Sequence, residues 1–146
     1  CWRTACELER VADHAERIAT TAAALDAPPA ESVDALTDLA QQARAVVEDA
    51  VGVVVDQTAA GAARDVLDRR DDVRERATAI ERRLVDGADG DYRLVRVLDS
   101  LRRTAEHGGN IAEAGLRGAV RRGELRDPVH SQREGSAVDA ASDAGS

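Results

Sequence analysis

The chain has 146 residues and a formal net charge of −8, with 28 Asp and Glu against 20 basic residues, all of them Arg. This acidic surplus excludes general nucleic-acid binding, which needs a basic footprint, and an anionic membrane surface as the main partner. With no Phe, no Met, one Trp and one Tyr, a core must be built from Ala, Val, Leu and Ile, which suit the narrow space between closely packed helices.

The first predicted helix runs from the N-terminus to about Leu25. Leu8, Val11, Ala12, Ala15, Ile18, Ala19, Ala22 and Leu25 recur at three- and four-residue steps and form one apolar stripe. Pro28 and Pro29 end it, because a residue before proline is pushed out of the helical region. Trp2 is placed to cap one end of the bundle. Cys1 and Cys6 are spaced for neither a redox pair nor a zinc knuckle and read as reduced, partly buried thiols.

A second helix is predicted from about Val33 to Gln57, with Ser32 or Glu31 near its start and a stripe of Val33, Leu36, Ala40, Ala43, Val47, Ala50 and Val54. The valine-rich patch from Val51 to Val55 belongs to it, since no turn signal flanks the patch. Gly61 marks a turn, and a third helix follows to about Val85, with Val66, Val73, Ala77, Ile80 and Leu84 at heptad-like spacing. Arg70 occupies a slot in that pattern where an apolar residue is expected. The acidic glycine-rich run from Gly87 to Asp91 is a turn.

A fourth helix spans about Asp91 to Arg122 through Leu94, Leu98, Leu101, Ala105, Ala112 and Leu116, and Gly123 stops it. Gly108 and Gly109 in its middle mark either close approach of a neighbouring backbone or tolerated drift. The remaining segment, 123–146, is poor in large apolar residues and predicts a disordered tail. Four long helices with short links imply an all-α antiparallel bundle. No run approaches the ~18 apolar residues of a membrane span and no signal-peptide pattern is visible, so the chain reads as soluble and cytoplasmic. The acidic, Lys-free composition fits a salt-loving organism, although a GC-rich genome explains Arg over Lys equally well.

One twelve-residue pattern occurs twice, 93 positions apart: Leu8 to Ala19 (LERVADHAERIA) and Leu101 to Ala112 (LRRTAEHGGNIA). Leu, Arg, Ala, His, Ile and Ala are shared at equivalent positions, which points to duplication of a larger helical unit. In the first copy Glu9 and Asp13 project from one helical face and form a candidate carboxylate pair for a cation. His14 points about 100° away and is a poor shared ligand. The bland reading of the carboxylate pair is a solvated helix face.

The first copy resembles the signature helix of the PhoU family, and the second resembles the same helix from the second half of a PhoU unit. Between them, Val66 to Arg76 (VLDRRDDVRER) is similar to the family's acidic middle helix. The resemblance implies two tandem three-helix bundles: residues 1–25 as the last helix of the first, 31–122 as the second. It also implies a non-enzymatic regulator of phosphate uptake and phosphate signalling. Its partners would be phosphate ABC transporter components and a sensor kinase, with a homodimer as a further possibility.

In this frame Glu9 and Asp13 match the family's metal motif, for iron, zinc or manganese in the intact protein. Their partner carboxylates would come from helices ahead of Cys1, so the chain reads as a fragment, which the missing initiator Met also suggests. A small DNA-binding domain ahead of that bundle is one expectation. The second bundle departs from the motif at Arg70, Arg74 and Arg102, which disfavour a cation and are expected to pair with Glu106, Asp71 and Glu75. A one-residue shift would align Asp71 and Glu75 instead.

The alternatives are a plain helical interaction or oligomerisation domain without metal, and a carboxylate-bridged metalloenzyme. The latter requires Glu-x-x-His ligand sets, and Val11 and Thr104 stand three before His14 and His107. No nucleophile triad, phosphate loop or redox pair is present. His14, His107 and His130 lie far apart in the sequence, with no evident partners.

Overall fold

A computed structural model describes residues 2–56, 60–87 and 91–123. They form four helices: α1 (Trp2–Ala23), α2 (Ala30–Val55), α3 (Ala60–Asp86) and α4 (Tyr92–Arg121). The expected elements are all present, and the valine-rich patch is helical as its period predicts. The tail from Glu124 onward, with His130, lies outside the described residues, as do Cys1 and most of the Gly87–Asp91 run.

The helix ends follow local chemistry. Pro29 precedes the first residue of α2, which starts three residues earlier than the apolar pattern suggests. Proline's fixed φ is compatible with that position. Asp91 caps α4, its side chain accepting from the Arg93 N–H at 2.9 Å. Gly123 follows α4 with φ +75°, and its N–H donates to the Val120 carbonyl at 3.1 Å. Gly61 does not form a turn; it lies in the first turn of α3, where N–H groups lack intrahelical acceptors in any case.

Helices α2, α3 and α4 enclose the core, and among the described helices α1 packs on α4 only. Neighbours in the chain run antiparallel. Glu31 of α2 meets Arg83 near the end of α3, and Glu81 of α3 meets Arg102 of α4. The core consists of Leu, Val, Ile and Ala, including Leu39, Val46, Val66, Val73, Leu98 and Ile111. Along α2 the buried row is Leu36, Leu39, Ala43, Val46, Ala50 and Val53, one position off the expected stripe at several points. The expected α3 row is buried as read.

Glycine lets α4 approach α2. A Cβ on Gly108 would lie 2.9 Å from Val46 Cγ1 and 3.2 Å from the Val47 nitrogen, and one on Gly115 would lie 3.0 Å from Val53 Cγ1. Both pairs are seven residues apart, two turns on each helix, so the glycines line one contact ridge. A Cβ on Gly109 would meet only the flexible Arg70 side chain, at 2.5 Å from Cδ. Close approach within the chain is therefore the reading that holds for Gly108.

The expected α1 stripe is not buried as a unit. The face toward α4 carries Thr4, Glu7, Val11, His14, Ile18, Thr21 and, just beyond the helix, Leu25. Ala5, Leu8, Ala12, Ala15, Ala19 and Ala22 are exposed. This second row lies about 100° around the helix from the first, and a helix with one neighbour covers only one of them. Trp2, expected to cap the bundle, is 85% exposed.

Candidate functional site

A polar cluster sits where α1 crosses α4. Glu7, on the inner face of α1, is the one buried residue of that helix. Its Oε2 accepts from His107 Nδ1 at 2.6 Å and from Asn110 Nδ2 at 3.2 Å, both on α4. An ionised carboxylate only accepts, so His107 Nδ1 carries the proton of this bond. Burial opposes ionisation of Glu7, but the hydrogen bonds from His107 and Asn110, with the charges of His107 and Arg10, outweigh it. They hold the carboxyl below its usual range.

The two histidines of the repeat meet here. The His14 and His107 rings stack with centroids 5.4 Å apart and planes 26° from parallel. His14 Nδ1 is buried and has no hydrogen-bond partner. Burial depresses the His14 pKa first, and His107, Arg17 and Arg103 add to the shift while Asp99 opposes it. The imidazole is therefore held neutral at neutral pH.

The two copies of the repeat face one another across this seam. Helices α1 and α4 run antiparallel, since Glu7 reaches Asn110 while Arg93 Nη1 donates to the Ala24 carbonyl at 2.8 Å. The stacked histidines occupy equivalent positions of the two copies, so the copies are related by a local pseudo-twofold axis passing between the rings. The symmetry stops at the hydrogen bonds. The position equivalent to Glu7 is Ser100, and the one equivalent to Asn110 is Arg17. Ser100 is buried, and its carbonyl accepts from the Thr104 hydroxyl at 2.9 Å.

Glu9 and Asp13 lie on the exposed outer part of α1, away from His14. Among the described residues no group of three or more His, Cys, Asp or Glu is placed to hold a metal ion. Two exposed carboxylates on one helix do not by themselves form a cation site; one here would need donors from another helix.

The cationic trio of Arg70, Arg74 and Arg102 is divided. Arg70 lies over Gly109, with Nη2 2.9 Å from Asp71 and Nη1 3.6 Å from Glu113. Arg74 reaches the same Asp71 at 3.9 Å. Arg102 pairs with Glu81 at 3.1 Å, leaving its buried Nε without a partner. Glu106 pairs instead with Arg103, and Glu75 joins no ion pair with the trio. The expected partners are right only for Asp71, because carboxylates on neighbouring helices take two of the three cations: Glu113 of α4 reaches Arg70, and Glu81 of α3 holds Arg102.

Sequence reasoning missed Glu7, Asn110 and the meeting of His14 with His107. The signal was present in the three- and four-residue spacing of Thr4, Glu7, Val11, His14 and Ile18, hidden by the more apolar row beside it. Among the described residues no helix is long and apolar enough to cross a membrane. No family model, curated protein or solved structure matches this chain.

Proposed function

We propose that this chain is a PhoU-like, non-enzymatic regulatory module of phosphate uptake and phosphate signalling, acting through protein–protein contacts. The observation that carries this reading is the pairing of the two motif copies about the His14–His107 stack. A duplicated unit whose signature helices lie back to back accounts for both the 93-residue offset and the single-sided packing of α1. In this reading α1 closes a first bundle and α2 to α4 form the second.

The exposed row from Ala5 to Ala22 supports the same assignment. It offers small residues for close approach of another helix, and Glu9 and Glu16 run along the edge farther from α4. Phosphate transporter components and a sensor kinase are the partners the resemblance implies, in the cytoplasm. Iron, zinc or manganese at Glu9 and Asp13 belongs to this proposal only with donors from a further helix.

Affinity capture against the ATP-hydrolysing subunit of a phosphate transporter tests the reading. Enrichment well above that of an unrelated acidic helical bundle is expected; equal recovery of both would leave a plain interaction or oligomerisation domain. Metal analysis of the longest natural form, beside Glu9→Ala and Asp13→Ala, tests the cation. An unchanged metal content across the three removes it.

A further inference from the structure

Where α1 begins and α2 and α4 end, a cleft of about 410 Å³ opens between the three helices. Arg3 of α1, Arg117 and Arg121 of α4 and the following Arg122 line it, over a floor that includes Val53 and Val54 of α2; among the described residues no carboxylate lines it. On the other side of α2, the cleft against α3 shares Val53 but is lined by Glu48, Asp49, Asp56 and Asp65 with one Arg69. In a chain of net charge −8, four guanidinium groups around one apolar floor reverse the local sign of the surface.

Helix-end electrostatics explain part of this arrangement. Arg121 and Arg122 complement the partial negative charge at the end of α4. Neither Arg3 nor Arg121 has a hydrogen-bond or ion-pair partner among the described residues. Arg117 holds Glu113 at 3.4 Å in an exposed pair one turn apart, an interaction weak enough to be exchanged for a ligand. A Cβ on Gly118 would lie 3.2 Å from Arg122 Nη1, so the absent side chain leaves the guanidinium room to lie along α4.

We propose that this cleft is a binding site for a small organic anion, with a phosphate or carboxylate head among the arginines and a compact apolar body against Val53 and Val54. Guanidinium forks match such oxyanions in shape and charge, and a low-dielectric floor focuses their field into the cleft. The site begins one helical turn beyond the Glu7 cluster, shares no lining residue with it and does not depend on the regulatory reading.

Titration calorimetry of the full chain with phenyl phosphate, inorganic phosphate and phenol tests the proposal. Saturable binding is expected for phenyl phosphate, weakening as salt rises, with inorganic phosphate weaker and phenol silent. The Arg3→Ala, Arg121→Ala double variant should bind phenyl phosphate about tenfold or more weakly. Arg44→Ala, whose residue is an exposed part of α2 paired with Glu48, should bind as the native chain does. Matching circular dichroism of the variants establishes that the fold is kept. No saturable binding of either phosphate, equal affinity in the double variant, or phenol binding as tightly as phenyl phosphate would overturn the site.

Discussion

The two halves of the α1–α4 seam occupy equivalent positions of one repeat, yet only one half closes a hydrogen-bond network. On one side Glu7 joins His107 and Asn110 and is buried with both partners in place. On the other, His14 keeps the ring stack but has no partner for Nδ1, with Ser100 and Arg17 at the positions of Glu7 and Asn110. A duplicated apolar pattern can be kept by packing alone, whereas a buried polar pair requires both members. Losing one member leaves a desolvated group behind. The contrast teaches that the satisfied half holds α1 in register and the unsatisfied half lowers its stability.

The contrast is broken most strongly at its satisfied side. Glu7→Ala removes the acceptor of two buried donors and should destabilise docking of α1 by about 2–3 kcal/mol. Because α4 is the one described helix that α1 packs on, the loss should appear in hydrogen exchange as faster opening of α1 than of α2 and α3. Equal acceleration across all four helices would contradict it. His107→Leu leaves Glu7 buried without its shortest bond and should cost about 2 kcal/mol in urea unfolding.

A double-mutant cycle between Glu7 and His107 sharpens the comparison. Its coupling should be about 1–2 kcal/mol, against none for the matching cycle between His14 and Ser100.

Acidification acts on the halves in sequence. His14 has a folded pKa below its ordinary 6.5, so the unfolded chain takes up the proton first. Stability falls as pH drops from about 6.5 toward the depressed value and levels off beneath it. Glu7 has a folded pKa below its ordinary 4.5, so its contribution is complete above that value and is lost as pH falls through the folded one. Denaturation curves at stepped pH should show two acid-sensitive ranges, and His14→Leu should abolish the upper one. The smallest effect is that of His14→Leu at neutral pH. Replacing an unpartnered buried nitrogen by an apolar side chain should change stability by less than about 1 kcal/mol, in either direction. A loss as large as that of His107→Leu would erase the distinction between the halves.

The helices and most of the core were legible in the sequence. Val66, Val73, Ala77, Ile80 and Leu84 form a single apolar row with core on one side, and such a row has one way to face. Helix α1 carries two rows of similar spacing, and hydrophobicity favours the one the fold leaves exposed. Glu7 was illegible for a related reason: a glutamate in a helical row reads as solvated until its partners, 100 and 103 residues away, are brought to it. Arg70 was correctly seen as occupying an apolar slot, but only Gly109, on another helix, makes room for it.

By itself the sequence determined the all-α class, the four helices and the repeated twelve-residue pattern, because periodicity acts over a few residues. The tertiary structure decided which face of α1 is buried, which arginines find carboxylates, and that the two repeat histidines stack at a pseudo-twofold axis. Those outcomes depend on antiparallel pairing of helices distant in the chain, where register selects contacts that local spacing leaves open.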